Sequence, residues 1–306
     1  MTSIAFLGPR GSFSEAALRA LDESGGAELI ASGSVAEALT TLRAGSVDRA
    51  LVPIENSIEG SVATTLDGLS VGEPLVIVAE QVISVSFTLM ARPGVALSDI
   101  RTVGTHPHAS AQCSGWVRDN LPYATVVPMS STSAAAAALA SGETGFEAAI
   151  APRIAADIYE LEVLADDIGD NDEAWTRFIL LAQTGHLPAP TGADKTTLSL
   201  FMRADHPGAL MEILTEFSVR GVNLTRIESR PTRKALGDYF FSVDCEGHVN
   251  DARVGEALAG LHRICADVRF LGSYPRHDGK QPLVRDGVTD ADFRDAEQWL
   301  QQVRGR

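Results

Sequence analysis

The hydrophobic pattern of the chain changes once, near residue 190, and this change limits the folds that the chain can adopt. Before it, apolar segments of strand length alternate with segments whose apolar residues recur at helical spacing. Such alternation is typical of an open α/β fold. After it, residues 195–275 have the order strand, helix, strand, strand, helix, strand, which predicts a ferredoxin-like βαββαβ module. Residues 186–194, rich in Pro, Gly and small side chains, predict a linker.

The same patterns assign individual elements. The expected strands are runs of apolar and β-branched residues at 3–8, 49–55, 125–129, 146–152, 176–183, 196–204, 223–230, 237–247 and 266–275, with one or two more within 74–91. The expected helices lie at 35–45, 107–121, 131–142, 207–221 and 254–264, with one more beginning at Ser14. The polar tail at 276–306 carries one further expected short helix at 289–303.

Composition narrows the class of protein. The formal net charge of -15 argues against a general affinity for nucleic acid or acidic membranes, although a local cluster of arginines can still bind an anionic small molecule. Cys113, Cys245 and Cys265 have no CxxC spacing, which favours reduced thiols over disulfides or a metal site. We find no apolar run of membrane-spanning length and no export signal in the N-terminal residues, so we expect a cytoplasmic protein.

Three polar clusters follow predicted strands, and open α/β sheets bind their ligands at the carboxyl ends of strands. The first cluster, GPRGSFS at 8–14, brings two glycines and two hydroxyls to the start of a helix. Backbone N–H groups at such a position can bind an anion. The alternative is a plain turn in which Ser12 or Ser14 caps the helix.

The second cluster, VPIENSIEGSV at 53–63, is too polar for a core strand. Glu55, Asn56 and Ser57 can line a cleft, or they can belong to a capping network in which the glutamates favour the positive end of a helix dipole. A helix is expected to begin near Gly60. The pattern alone leaves both interpretations open.

The third cluster, WTRFILL at 175–181, places Thr176 and Arg177 immediately before a strongly apolar segment. An arginine at the rim of a strand can bind a carboxylate through two parallel hydrogen bonds. The alternative is a surface arginine whose aliphatic stem covers the sheet.

The segment THPHASAQC at 105–113 contains two histidines, His106 and His108. Residues two apart do not share a helical face, so the pair does not predict a metal site. We expect His106 to end a strand or to cap the helix that follows. The sequence has neither a nucleophile elbow nor an HExxH motif.

In this order, the segments GPRGSFSEAA, VPIENSIEGSV, THPHASAQC and TRF resemble the prephenate dehydratase family. The later segment GALMEILTEFSVRGVNLTRIESRP is similar to the ACT domains that bind phenylalanine in these enzymes. The resemblance implies a catalytic region with two lobes of the type 2 periplasmic-binding-protein fold, followed by a ferredoxin-like ACT regulatory domain. The implied bounds are 1–185 for the catalytic region, about 1–78 and 155–185 for lobe 1, about 79–154 for lobe 2, and 195–275 for the ACT domain.

The family converts prephenate to phenylpyruvate with loss of carbon dioxide and of the ring hydroxyl, and it uses no cofactor and no metal. The resemblance implies that Thr176 is the catalytic threonine and Arg177 its partner. We expect Thr176 to act as the acid and Arg177 to anchor the substrate, with His106 as a second candidate for the acid. The implied substrate-binding residues are Glu55, Asn56, Ser57, Ser12, Phe178 and His106.

Three positions depart from the common pattern of the family. Ala174 stands where many members have an asparagine, Ser12 replaces a common threonine, and His108 replaces a common glutamine. The first departure removes one hydrogen bond from the expected cleft.

The second module is expected to be a phenylalanine sensor. A free amino acid needs donors for its carboxylate and acceptors for its ammonium group, and the glycine-containing helix start at 207–210 and the strand at 223–230 offer both. By resemblance, phenylalanine binds between the ACT domains of neighbouring subunits of a homodimer or tetramer assembled through ACT and catalytic domains. The implied effector-binding residues are Gly208, Ala209, Leu210, Asn223, Leu224, Thr225, Glu228 and Ser229.

Two other functions remain compatible with the sequence. One is arogenate dehydratase, because arogenate loses the same groups as prephenate. The other is a two-lobed binding protein without enzymatic activity, against which the absent export signal and the TRF segment both argue.

Overall fold

A computed structural model describes residues 2–21, 25–142, 144–171, 173–185, 187–204, 206–233 and 237–305. The described strands are β1 Ser3–Leu7, β2 Glu28–Ser32, β3 Arg49–Asn56, β4 Gly60–Ser61, β5 Leu75–Ser84, β6 Thr88–Ala91, β7 Thr102–Thr105, β8 Thr125–Pro128, β9 Ala148–Ala151, β10 Glu162–Ala165, β11 Trp175–Gln183, β12 Asp194–Phe201, β13 Leu224–Pro231, β14 Tyr239–Glu246 and β15 Asp267–Pro275. The described helices are α1 Phe13–Arg19, α2 Val35–Arg43, α3 Ala63–Ser70, α4 Pro107–Gln112, α5 Ser114–Asn120, α6 Thr132–Ser141, α7 Arg153–Tyr159, α8 Ala209–Ser218, α9 Ala252–Ile264 and α10 Asp290–Val303. Among the described helices, none is both long and apolar enough to cross a membrane.

The described strands form three sheets. The first has the order β2-β1-β3-β11-β5, with β4 paired to β3; the second has the order β10-β6-β9-β7-β8; and the third has the order β13-β14-β12-β15. β1 runs parallel to β2 and β3, and β7 runs parallel to β8 and β9. The loops that follow parallel strands meet at one edge of their sheet, which is the edge where ligands of α/β proteins bind.

One compact unit comprises the residues up to Thr65 together with Gln81–Phe178, and it contains the second sheet. Helices cover this sheet on both faces. α4 contributes to an apolar cluster with Val103 and Ile150, whereas α6 and α7 belong to a cluster with Ala149. Burial on both faces explains why β9 is a continuous apolar run rather than an alternating one.

A second compact unit comprises Leu66–Glu80 and the residues from Ile179 onward, and it contains the third sheet. One face of this sheet packs against α8 and α9 through an apolar cluster. Alternate residues point to the opposite face, where buried Asp244 accepts hydrogen bonds from Thr197 and Arg226. The expected α/β class and the ferredoxin-like βαββαβ module are both confirmed.

Several elements differ from the sequence expectations. The helix expected at 107–121 is divided at Cys113, whose φ of -116° and ψ of 10° interrupt the helical backbone between α4 and α5. Gly60 does not start a helix. It lies in β4, and the following helix, α3, begins at Ala63. β2 was not among the strands expected from the sequence. It is a mostly exposed edge strand and lacks the apolar alternation that identifies strands in a sequence.

Gly272 of β15 is a position where any side chain is expected to destabilise the protein. Its φ is +126°, and an added Cβ would lie 2.4 Å from the carbonyl oxygen of Ile77. We expect Gly272→Ala to lower the free energy of unfolding by about 2–4 kcal/mol, from backbone strain and overpacking together. Denaturant titration followed by circular dichroism measures this loss.

Gly279→Ala is the matched control. Gly279 also has a positive φ, of +61°, but an added Cβ there meets no atom within 4 Å. Gly279→Ala should therefore lower the free energy of unfolding only by the backbone strain, about 1–2 kcal/mol. Equal losses for the two variants would show that the close approach to Ile77 is unimportant.

Candidate functional site

The turn between β3 and β4 fixes the orientation of the Asn56 side chain. Its Oδ1 accepts hydrogen bonds from the backbone N–H groups of Ile58 and Glu59, at 2.8 and 3.0 Å. Gly60, opposite Asn56 in the hairpin, has a φ of +81°, a conformation that glycine adopts readily. Because Oδ1 faces two donors, the amide nitrogen must point the other way.

That amide nitrogen donates to Thr176 of β11. Asn56 Nδ2 lies 2.9 Å from Thr176 Oγ1, so the hydroxyl oxygen is the acceptor and its own proton points elsewhere. Within the part of the chain that the structure describes, this proton has no protein acceptor. Thr176 is only 8% exposed, and a hydrogen bond from such a site to an anion is stronger than it is in water.

Arg177 and Glu55 form the neighbouring cross-strand contact. Arg177 Nη1 lies 3.5 Å from Glu55 Oε2, and the arginine side chain is largely buried whereas the glutamate is partly exposed. Successive residues of a strand point to opposite faces of the sheet. Arg177 therefore faces away from Thr176, although the two are adjacent in sequence.

Two of the expected substrate-binding residues make structural contacts. The Ser57 side chain accepts a hydrogen bond from the backbone N–H of Trp175 at 2.9 Å and donates to the carbonyl oxygen of Glu173 at 3.4 Å. Phe178 shares a face with Thr176 and is 2% exposed. Ser57 thus joins the end of β3 to β11, and Phe178 is buried on the face of β11 that carries Thr176.

Ser12 acts as the helix cap that the alternative interpretation describes. Its Oγ accepts from the backbone N–H of Glu15 at 3.3 Å and donates to the carbonyl oxygen of Leu7 at 2.9 Å. The N–H of Gly11 donates to the buried Glu15 carboxylate at 2.8 Å. The Gly11 N–H and the Ser12 hydroxyl are therefore used within the protein.

His106 lies where the sequence places it, directly after β7 and at the start of α4. Its Nδ1 accepts from the backbone N–H of His108 at 3.3 Å, which caps the helix. The ring of His108 contacts the Glu59 carboxylate. The amino end of α4 therefore lies beside the β3–β4 turn, and Glu59, which the sequence interpretation treated as a capping residue, joins the two segments.

A second helix start lies at the same edge as His106. α6 begins after β8, the neighbour of β7, and the Ser131 side chain caps it by accepting from the backbone N–H of Ala134 at 3.0 Å. The hydroxyl-rich start of this helix was visible in the sequence, but only the pairing of β7 with β8 brings it to the edge that carries His106.

Ala174, in place of the family's common asparagine, is 2% exposed and presents only a methyl group. Its carbonyl oxygen accepts from the backbone N–H of Val85 at 2.7 Å. The backbone pairing at this position is thus intact, while the side chain forms no hydrogen bond.

The cysteines are not activated nucleophiles. Burial raises the pKa of Cys113 and of Cys245 to about 12, and that of Cys265 to about 11. These thiols are therefore protonated at neutral pH. Across the described residues, no group of three or more His, Cys, Asp or Glu side chains could hold a metal ion.

The expected effector residues fall into two groups. Gly208, Ala209 and Leu210 line a cavity of about 280 Å³ at the start of α8, together with apolar side chains such as Phe241. The remaining expected residues, Asn223, Leu224, Thr225, Glu228 and Ser229, lie just before or within β13, which is an edge strand of the third sheet. Within one chain, the β13 group does not line this cavity.

Comparisons with known proteins agree on one family. The family model for prephenate dehydratase matches residues 4–186, and the model for the ACT domain matches residues 196–263. Prephenate dehydratase of Amycolatopsis methanolica is 46% identical over 305 residues, which are 99% of this chain and 98% of that protein.

Solved structures have the same fold over most or all of the chain. The structure of prephenate dehydratase in complex with L-Phe from Arthrobacter aurescens is 50% identical, with a TM-score of 0.94 and complete coverage of both chains. A structure described as GqqA, a novel type of quorum quenching acylase, is 30% identical, with a TM-score of 0.80 over 89% of this chain and 97% of that one. Full-length similarity and the two family models together show that this chain belongs to the prephenate dehydratase family and carries an ACT domain.

Proposed function

We propose that this chain is a carbon–oxygen lyase that converts prephenate to phenylpyruvate, and that phenylalanine bound by the ACT domain inhibits it. The observation that carries the first part is the Thr176 hydroxyl, which accepts from Asn56 and keeps its own proton available. The A. aurescens relative in complex with L-Phe supports the second part. No step of the reaction needs a cofactor.

The chemistry of prephenate requires a donor at one oxygen. The prephenate dianion takes up one proton and yields phenylpyruvate, carbon dioxide and water, and the ring becomes aromatic. The driving force is therefore large, and the difficult event is departure of the ring hydroxyl as hydroxide. A hydrogen bond from the Thr176 hydroxyl to that oxygen strengthens as negative charge develops, and the proton is afterwards replaced from water.

Asn56 sets up this donor. The amide already occupies a lone pair of Thr176 Oγ1, so the hydroxyl cannot turn its proton back toward β3. The amide dipole also makes the hydroxyl a better donor, because hydrogen bonds in a chain polarise one another.

We assign Arg177 and Glu55 to positioning rather than to direct contact with the leaving group. Their contact lies one residue from the Asn56–Thr176 bond and holds β3 against β11 on the opposite face. The substrate carboxylates can instead be bound by backbone N–H groups at the start of α6, after Ser131.

The chain is proposed to act as a homodimer or a tetramer of dimers in the cytoplasm. β13 is an edge strand, and a strand at the edge of a sheet can pair with another chain. The α8 cavity of one subunit and the β13 residues of the other would then form one phenylalanine site, which accounts for their separation within a single chain. Residues 1–185 would be the catalytic region and 195–275 the regulatory one.

Replacing Thr176 by alanine removes the proposed donor. We expect T176A to lower kcat by about 10²–10⁴-fold, the usual contribution of a positioned acid, with a nearly unchanged KM. T176S is the matched control, since it keeps the hydroxyl and should retain most of the activity. A T176A enzyme with normal kcat would disprove the assignment.

Replacing Asn56 by aspartate tests the orientation of the hydroxyl. N56D keeps an acceptor for the N–H groups of Ile58 and Glu59 but cannot donate to Thr176, whose proton then turns toward the new carboxylate. We expect kcat/KM to fall by about 10²–10³-fold, the usual effect of losing one preorganised donor.

The control for N56D is E59Q in the same turn. It alters a carboxylate whose contact with His108 is exposed, so its effect should stay below about fivefold. Unfolding midpoints of both variants should match the wild type. Equal losses of activity in the two variants would contradict the role given to Asn56.

Substrate choice separates the proposed activity from its alternatives. Purified protein is offered prephenate and arogenate separately, and phenylpyruvate and phenylalanine are quantified as the respective products, with and without added phenylalanine. We expect phenylpyruvate from prephenate, inhibited by phenylalanine. Preferential use of arogenate, or turnover of neither compound, would overturn the proposal.

A further inference from the structure

The sequence assigns residues 66–80 to one part of the chain, and their packing assigns them to another. The prephenate dehydratase family model includes them, whereas in three dimensions they pack in the compact unit that contains the third sheet. They comprise most of α3 and the first part of β5. Four sets of contacts hold them there.

The first contact is made by Asp67 of α3. Arg230 of β13 donates to both of its carboxylate oxygens, at 3.1 and 3.2 Å, and Arg233 donates to one of them at 2.5 Å. The Asp67 side chain is 14% exposed. Its hydrogen bond raises the pKa of Arg230. A bidentate pair fixes orientation as well as distance, so movement of Arg230 is passed to α3.

The second and third contacts come from β15. Arg269 Nη1 donates to the carbonyl oxygens of Leu69 and Gly72, at 3.2 and 3.0 Å, and so binds the carboxyl end of α3. Further along, the backbone of Ile77 crosses Gly272 so closely that a Cβ there would lie 2.4 Å from its carbonyl oxygen. Little space remains for the segment to slide over the sheet.

The fourth contact is the buried ion pair of Glu80 with Lys195 at the start of β12. Lys195 Nζ lies 3.1 and 2.9 Å from the two Glu80 oxygens, and the backbone N–H of His277 donates to one of them at 3.0 Å. The two side chains are 3% and 11% exposed. Loss of one member of such a pair is costly, because the other charge remains buried.

The segment is continuous at each end with the candidate catalytic site. Toward the amino end, α3 follows the hairpin that carries Asn56, and Thr65 donates to the carbonyl oxygen of Pro53 in β3 at 2.6 Å. Toward the carboxyl end, β5 continues to Ser84 and lies beside β11, which carries Thr176. Arg230 follows Glu228 and Ser229, two of the proposed effector-binding residues, on β13.

We propose that residues 66–80 are the element through which phenylalanine binding is communicated to the catalytic site, with Asp67 and Glu80 as its two coupling residues. This inference rests on the proposed function and adds a route for its regulation. Effector contacts on β13 shift Arg230; Asp67 carries the shift into α3; and α3 alters the hairpin that orients the Asn56 amide toward Thr176. The Glu80–Lys195 pair holds the other end of the segment to the regulatory sheet, so that the whole segment moves with it.

The direct test is Asp67→Asn in the full-length protein. Asparagine has the same shape but lacks the charge that holds two arginines. In the wild type, phenylalanine should change kcat/KM for prephenate by about 5–150-fold, the usual range of allosteric coupling, and in D67N this ratio should approach 1. Phenylalanine binding by calorimetry and kcat without effector should persist in D67N.

Asp278→Asn is the matched control. Asp278 is also an aspartate with a bidentate arginine partner in the same unit, but its partner is Arg276, at 2.9 and 2.8 Å, rather than an arginine bound to α3. D278N should be inhibited like the wild type. A double variant, E80Q/K195Q, removes both charges of the second pair without leaving one unpaired, and it should also lose inhibition while still binding phenylalanine.

The outcomes separate this inference from the proposed function. If D67N and E80Q/K195Q bind phenylalanine and are inhibited as strongly as D278N, the coupling role of residues 66–80 is wrong, and the proposed activity stands. If the wild type does not turn over prephenate, or binds phenylalanine without inhibition, the proposed function itself fails and the inference falls with it.

Discussion

The hydrogen bond from Asn56 to Thr176 depends on a chain of local constraints, and the proposed chemistry depends on that bond. Two backbone N–H groups in the β3–β4 turn fix the amide oxygen, so the amide nitrogen must point at β11. The Glu55–Arg177 contact and the Ser57 side chain then keep the two strands in the register that this bond needs. Most of the polar contacts of the VPIENSIEGSV segment thus support the Asn56–Thr176 hydrogen bond.

Patterns in the sequence predict the architecture well because the fold follows local rules. The alternation of strands and helices and the helix expected from the spacing in 207–221 are both present in the structure. Two features of the structure differ from the expectations, because the residues there do not show the patterns of apolar residues that predict them. β2 is an exposed edge strand, and Cys113 divides a helix that appears continuous from its composition.

The sequence could not predict which side chains meet at the candidate site, because these contacts join positions that are far apart in the chain. The residue types at 55–57 and 176–177 indicated a polar cleft, but not which side chain meets which. The pairing of Asn56 with Thr176 joins residues 120 positions apart, and the contact of Glu59 with His108 joins residues 49 apart. Because Thr176 and Arg177 are adjacent in sequence, we expected both side chains at one site. Strand alternation instead places them on opposite faces of the sheet. Ser12 and Ser57 carry the expected polar groups but use them within the protein.

The packing of residues 66–80 against the third sheet has a consequence for the modular character of this chain. The ACT-domain model matches residues 196–263, which lie between the start of β12 and the end of α9. Here the face of its sheet opposite α8 and α9 is adapted to one particular segment, by a glycine at the crossing point and by two acidic partners supplied from outside the module. An exchange of regulatory domains between relatives must therefore carry this segment with it. The compact unit around the third sheet is discontinuous in sequence, although it is continuous in space.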